Sequence, residues 1–147
     1  MSIEITVLGR SNEMRLAKVA PGVFDHEVDR QLAREFLDDA RHHLAVAIED
    51  GLVVGFASAV HYVHPDKRPE LWINEVAVAP THRGLGLGKG LLGALFEVGR
   101  AAGCREAWVL TDRSNAAAMR LYAAVGGTEA PMDQVMFTFY LNGDGDG

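Results

Sequence analysis

Arg83-Gly84-Leu85-Gly86-Leu87-Gly88-Lys89 puts two cations and three alternate glycines just after a Pro80-Thr81-His82 turn, with Gly90 continuing the glycine series. That composition suits a diphosphate. The first turn of a helix leaves backbone N–H groups free, with the positive end of the helix dipole behind them. Glycines at 84, 86 and 88 would let an anion approach the backbone and would permit left-handed angles in the turn. Arg83 can grip phosphate through two N–H groups, and Lys89 adds charge. A second reactive group lies just upstream. Alternation along Leu71 to Ala79 places Glu75 on one face with Leu71, Ile73, Ala77 and Ala79, where a carboxylate is out of place. Partial desolvation there would raise its proton affinity and suit it to accept a proton. The same residue also reads as a strand-end carboxylate paired with a basic group or lying at the sheet margin.

Two common glycine motifs do not fit. For G-x-G-x-x-G, counting from Gly84 or Gly86 puts Lys89 or Leu91 in the third glycine's place. The P-loop needs four residues between its glycines and then Lys-Ser/Thr, whereas only three residues lie between Gly84 and Gly88 and Lys89 precedes Gly90. The pattern R-x-x-G-x-G, one turn after the strand Glu75-Val-Ala-Val, resembles the acetyl-CoA-binding motif of the GCN5-related N-acetyltransferase (GNAT) family. A second segment, Asn115 to Gly126, is similar to that family's N-x-x-A-x-x-L-Y-x-x-x-G signature through Asn115, Ala118, Leu121, Tyr122 and Gly126. On periodicity alone Tyr122 reads as a core side chain.

The resemblance implies acyl transfer from a thioester to an amine. Acetyl-CoA would be held by Arg83, Gly84, Leu85, Gly86, Leu87, Gly88 and Lys89 at its diphosphate. Backbone groups of Val76, Ala77 and Val78 would pair with its pantetheine amides like an added strand, and a backbone N–H there would serve as the oxyanion donor. Asn115 would help to hold the pantetheine arm, Tyr122 would protonate the thiolate, and Glu75 would take a proton from the acceptor amine.

A closer resemblance, to the small aminoglycoside 3-N-acetyltransferases, rests on Glu70-Leu-Trp-Ile-Asn-Glu-Val-Ala-Val, the Tyr62-Val-His-Pro loop, Leu110-Thr-Asp112 through Tyr122, and Gln134-Val-Met-Phe. It implies a cationic sugar as acceptor, with Glu75, Asp112 and Glu70 around it and Asp66 and Asp133 as further carboxylates. The chain departs from that group in carrying glutamate rather than aspartate at position 75, and Phe137 where a polar residue is expected. Two other functions stay open: acetylation of a polyamine, a protein N-terminus or a lysine, and a CoA-binding module without catalysis.

Around these residues the 147-residue chain, 48% hydrophobic and 23% charged, reads as one α/β (α+β) domain over 1–141. The strands expected are Ile3 to Val7, His43 to Ile48, Leu52 to Tyr62, Leu71 to Ala79, Glu106 to Thr111 and Gln134 to Leu141. Helices are expected over 11–20 and 29–40, from about Gly86 to Gly103, and over Asn115 to Val125. The resemblance implies a mixed sheet of about six to seven strands flanked by about four helices. Asn142 to Gly147 reads as a disordered tail.

A formal charge of −6 fits a small cationic partner and argues against nucleic acid. No apolar stretch is long enough to span a membrane, and the N-terminus lacks a signal-peptide pattern, so a cytoplasmic location is expected. A homodimer is left open. Cys104, between a helix and a strand start, is expected to be a buried, inert thiol. His61-x-x-His64 and His42-His43 have no third ligand at zinc spacing, so no metal site is expected. Ser114 and Asn115 also read as caps of the following helix.

Overall fold

The computed structural model describes residues 2–143; 144–147, most of the expected tail, lie outside the described residues. The strands β1 (Ile3–Leu8), β2 (His42–Glu49), β3 (Leu52–Tyr62), β4 (Glu70–Val78) and β5 (Ala107–Val109) form one sheet in chain order. All neighbours are antiparallel except β4 and β5, which run parallel. Three α-helices accompany them: α1 (Arg30–Asp38), α2 (Leu87–Ala101) and α3 (Ala116–Ala124). Asp50 and Gly51 take positive φ of 50° and 81° to close the β2–β3 hairpin, as the Asp-Gly pair predicts.

One face of the sheet carries α2. Its Leu91, Leu92 and Leu95 are fully buried, and a Cβ on Gly99 would press on Leu71. The other face carries α1 and the segment before it, where Phe24 stacks on Phe56 with ring centroids 4.1 Å apart. Asp29 caps α1 by accepting the Leu32 N–H at 2.9 Å. Gly103, at φ 89°, ends α2 as expected, with the Cys104 N–H reaching back to the Gly99 carbonyl at 2.9 Å.

Three expectations need correction. The sheet has five strands among the described residues rather than six to seven, and three α-helices rather than four. Residues 11–20 form only a 3₁₀ turn, Glu13–Leu16, because the following residues are drawn into backbone pairing with β3. The Val53 N–H donates to Lys18 and the Ala20 N–H donates to Val53, bridging Val19 beside it. Gln134 to Leu141 joins no strand, although it alternates as a strand should; Val135, Phe137, Phe139 and Leu141 are all exposed. Alternation specifies a surface fit to be a strand, but a strand exists only when a neighbour takes its hydrogen bonds.

The histidine pairs find protein partners. His43 Nε2 lies 2.7 Å from His61 Nδ1 with the rings stacked, and His64 Nε2 lies 3.0 Å from Glu70. Burial, then the charges of His61 and His42, push the His43 pKa down to about 4. The unfolded chain, with an ordinary imidazole, therefore binds more protons than the fold in the window between about 6.5 and 4. Stability contributed by neutral His43 is complete above that window and is lost as pH falls through it. Because the ring is half-exposed, the effect is on the order of 1 kcal/mol. Thermal melts at pH 7.5 and 5.0 should show a drop that His43→Leu reduces.

Candidate active site

The turn between β4 and α2 is built to present amides. A 3₁₀ turn, Pro80–His82, leaves β4 and is pinned at its end by His82, whose Nε2 lies 2.9 Å from the Glu49 carboxylate and whose Nδ1 meets the Thr81 hydroxyl at 2.8 Å. Gly84 and Gly86 then take φ of 80° and 76°, and Gly86 is the N-cap of α2 with no side chain capping it. The Gly90 N–H makes the bond to Gly86 O, so the N–H groups of Leu87, Gly88 and Lys89 point out of the helix end without helical partners. Arg83 and Lys89 are exposed beside them, with no ion-pair partner among the described residues.

The glycines divide by role. A Cβ on Gly84 or Gly86 would meet nothing within 4 Å, so backbone conformation is what requires glycine there. Gly88 instead lets α3 approach: a Cβ would come within 3.0 Å of the Leu121 side chain. Gly90 does the same for Ile5 of β1. Leu87 is buried and offers only its backbone, while Leu85 is exposed. Gly86→Val should cost roughly 1–3 kcal/mol of backbone strain and raise the KM for acetyl-CoA roughly tenfold by displacing the amides. Gly93→Ala, in α2 at a position open to solvent, is the matched control and should leave that KM unchanged.

A β-bulge decides where Glu75 points. Ser58 pairs with Glu75 while Ala59 pairs with Ile73, so Asn74 is the extra residue and Glu75 lies on the face opposite Ile73. This corrects the simple alternation, which put Glu75 in the buried row of Leu71 and Ile73. Glu75 is exposed and lines a cavity of about 300 Å³ on the α1 face of the sheet. Phe24, Phe36, Leu44, Phe56 and Ser58 supply much of the cavity wall, and Asp25, Glu27 and Asp29 stand around it with Glu75. Those three carboxylates were not singled out in the sequence; the signal was the acidic cluster Asp25-His26-Glu27-Val28-Asp29 immediately before α1.

Beyond the bulge β4 also loses its β5 neighbour. β5 pairs only with Leu71, Trp72 and Ile73, so among the described residues the edge of β4 from Val76 to Val78 has no strand on that side. This edge leads directly to the glycine turn. The structure thus fits acetyl-CoA: an unpaired strand edge for its amide-bearing arm and free helix-end amides with two unpaired cations for its diphosphate.

Tyr122 is half-buried on α3, which packs on α2 through Leu121 and Gly88, and burial raises its hydroxyl pKa. The Gly127 N–H holds the Tyr122 carbonyl at 2.9 Å. Asn115 caps α3 through Oδ1, accepting the Ala118 N–H at 3.1 Å, which leaves its amide NH₂ to donate elsewhere. Asp112 is exposed in the loop between β5 and α3, and its carbonyl accepts the Asn115 N–H. Glu70 is mostly enclosed: it accepts from Trp108 Nε1 at 3.2 Å and from the Tyr62 hydroxyl at 3.4 Å, and pairs with His64 and Lys67. Burial alone would push its carboxyl up, but Lys67, His64 and the Tyr62 hydroxyl outweigh this and hold it below the ordinary value. Cys104 is half-buried, and burial, then the Glu70 charge, push its thiol up.

The acetyltransferase (GNAT) family model matches residues 13–126, and the chain belongs to that family, the class of acetyl-CoA-dependent N-acetyltransferases. It is 33% identical over 101 residues to an aminoglycoside N(6′)-acetyltransferase type 1 of Salmonella typhimurium, covering 65% of this chain and 68% of that protein. It is also 33% identical over 99 residues to a streptothricin acetyltransferase of Streptomyces lavendulae, covering 67% of this chain; it spans half the length of that relative (50%). Among solved structures, the aminoglycoside N-acetyltransferase AAC(6′)-Iy in complex with CoA matches with a TM-score of 0.73 at 26% identity, covering 95% of each chain. An aminoglycoside acetyltransferase from a soil metagenomic sample shares the fold, with a TM-score of 0.76 at 24% identity over 95% of this chain and 100% of that one.

Proposed function

We propose that this chain transfers the acetyl group of acetyl-CoA to an amine of an aminoglycoside. The observation that carries the reading is the bulge at Asn74, which turns Glu75 into a cavity ringed by Asp25, Glu27 and Asp29, beside the unpaired edge of β4. Acetyl-CoA supplies the acetyl group as a thioester. The chain's residues do the rest. Asp25 and Glu27 draw a polycation to the cavity, and their charge is best matched by an acceptor bearing several ammonium groups. Glu75 takes a proton from the ammonium to be acetylated, directly or through water, leaving the free amine. Asp112, exposed in the loop after β5 and outside the cavity lining, is assigned a second carboxylate contact to the acceptor on the sequence resemblance alone. A backbone N–H on the β4 edge stabilises the oxyanion. As the amine nitrogen bonds to the acetyl carbon and the C–S bond breaks, the neutral Tyr122 hydroxyl gives its proton to the departing thiolate, and the second proton shed by the nitrogen returns to the tyrosinate through water.

The finer assignment, to the 3-N amine, rests on the sequence resemblance, whereas the Salmonella relative is named as an N(6′)-acetyltransferase. Thiol release from acetyl-CoA across sisomicin, spermidine, a lysine peptide and a peptide N-terminus tests the acceptor class, and NMR of the acetylated sugar identifies the nitrogen. Turnover confined to aminoglycosides supports the reading. Turnover confined to peptides or spermidine replaces it, and CoA binding with no thiol release from any acceptor marks a binding module.

A further inference from the structure

The face that carries Glu75 extends past the cavity to an aromatic wall that the proposed chemistry does not use. On β3, Phe56, Ser58, Val60 and Tyr62 share this face, and their partners on β4 beyond the bulge are Trp72 opposite Val60 and Glu70 opposite Tyr62. Trp72 stacks on Trp108 of β5 with centroids 5.1 Å apart and planes 13° from parallel, and Tyr62 meets Trp108 edge-on at 6.4 Å. Trp108 is fixed in turn by its Nε1–H bond to Glu70. On the other side of Trp72 stands only the short Val60, followed by His42, which packs on Phe36 of the cavity wall. Ser58 and Val60 thus lie on this face between Glu75 and the indole of Trp72, just beyond the cavity wall that Ser58 and Glu75 line, and Trp72 is 37% exposed.

We propose that the Trp72 indole, braced by Trp108, is a second-ammonium subsite: it holds an amine-bearing ring of the acceptor other than the nitrogen being acetylated. This rests on the aminoglycoside reading. An ammonium over an indole face is attracted by the ring's quadrupole, most strongly where water is partly excluded, and the apolar ring faces of a sugar pack on the same surface. The partners of Glu75 and Trp72 on β3, Ser58 and Val60, are two residues apart, roughly 7 Å along the strand. That exceeds the span between amines of a single six-membered ring and suits amines on adjoining rings of an amino sugar. Glu70 acts through Trp108 as a positioning residue, since its own oxygens are already engaged by Trp108, Tyr62, His64 and Lys67.

The test is Trp72→Ala against Trp72→Phe, with sisomicin as acceptor. Trp72→Ala should raise the sisomicin KM roughly tenfold while kcat and the KM for acetyl-CoA stay within about twofold, and Trp72→Phe, which keeps an aromatic face, should recover most of the loss. An unchanged sisomicin KM in Trp72→Ala overturns the subsite while leaving the proposed activity standing. Equal losses toward sisomicin and acetyl-CoA also overturn it, by showing a purely structural role, as does a changed oligomeric state with KM intact. If the wild-type chain does not acetylate sisomicin, the activity reading fails separately and calorimetry decides the subsite: roughly tenfold weaker sisomicin binding in Trp72→Ala sustains it, and no wild-type binding removes it.

Discussion

Glu75→Gln lowers kcat/KM for the acceptor roughly 100- to 1,000-fold, the range expected when a positioned general base is lost. The amide keeps the size and hydrogen-bonding reach of the carboxylate but cannot take up a proton. Because Glu75 is exposed at the cavity rather than packed in the core, the substitution should leave the melting temperature within a degree or two. The deficit deepens as pH is lowered, because the free amine that an unassisted reaction must draw on becomes scarcer. A pH–rate profile of both proteins from 6 to 9 checks this. A loss of less than about threefold at every pH would mean that another group, or water alone, accepts the proton.

Tyr122→Phe is expected to reduce kcat roughly 10- to 100-fold with the KM for acetyl-CoA nearly unchanged, since it removes one hydroxyl from a half-buried ring and leaves the ring's packing in place. Burial raises the pKa of that hydroxyl above the ordinary phenol value, so it is protonated throughout the working pH range, the state a proton donor needs. Steady-state kinetics at saturating acetyl-CoA provide the measurement. If the KM for acetyl-CoA rises in step with the loss, Tyr122 serves in binding. If the rate does not change, it is a core tyrosine and nothing more.

The elements of this site were legible in the sequence to different depths. The helix start at Gly86 could be read because two physical signals coincide there: glycines that tolerate positive φ and an apolar 3.6-residue repeat beginning at Leu87. The β2–β3 hairpin could be read from Asp50-Gly51 for the same kind of reason. The face of Glu75 could not be, because simple alternation assumes an unbroken register and the extra residue at Asn74 has no signature of its own; it appears only when β3 is laid alongside. The carboxylates at 25, 27 and 29 were hidden differently: a short acidic run normally reads as solvated surface, and only the packing of Phe24 on Phe56 shows that it borders a cavity. The final strand failed in the opposite sense, since Gln134 to Leu141 has the composition of a strand and finds no pairing partner among the described residues.

The account depends most on the free amides and cations at the start of α2, and the direct test is calorimetric titration of the purified chain with CoA and, separately, with pantetheine, which lacks the diphosphate. The account predicts one CoA site per chain, binding at least about tenfold tighter than pantetheine and weakening with added salt and in Gly86→Val. Equal affinity for the two compounds, or no heat on adding CoA to folded protein, would contradict it.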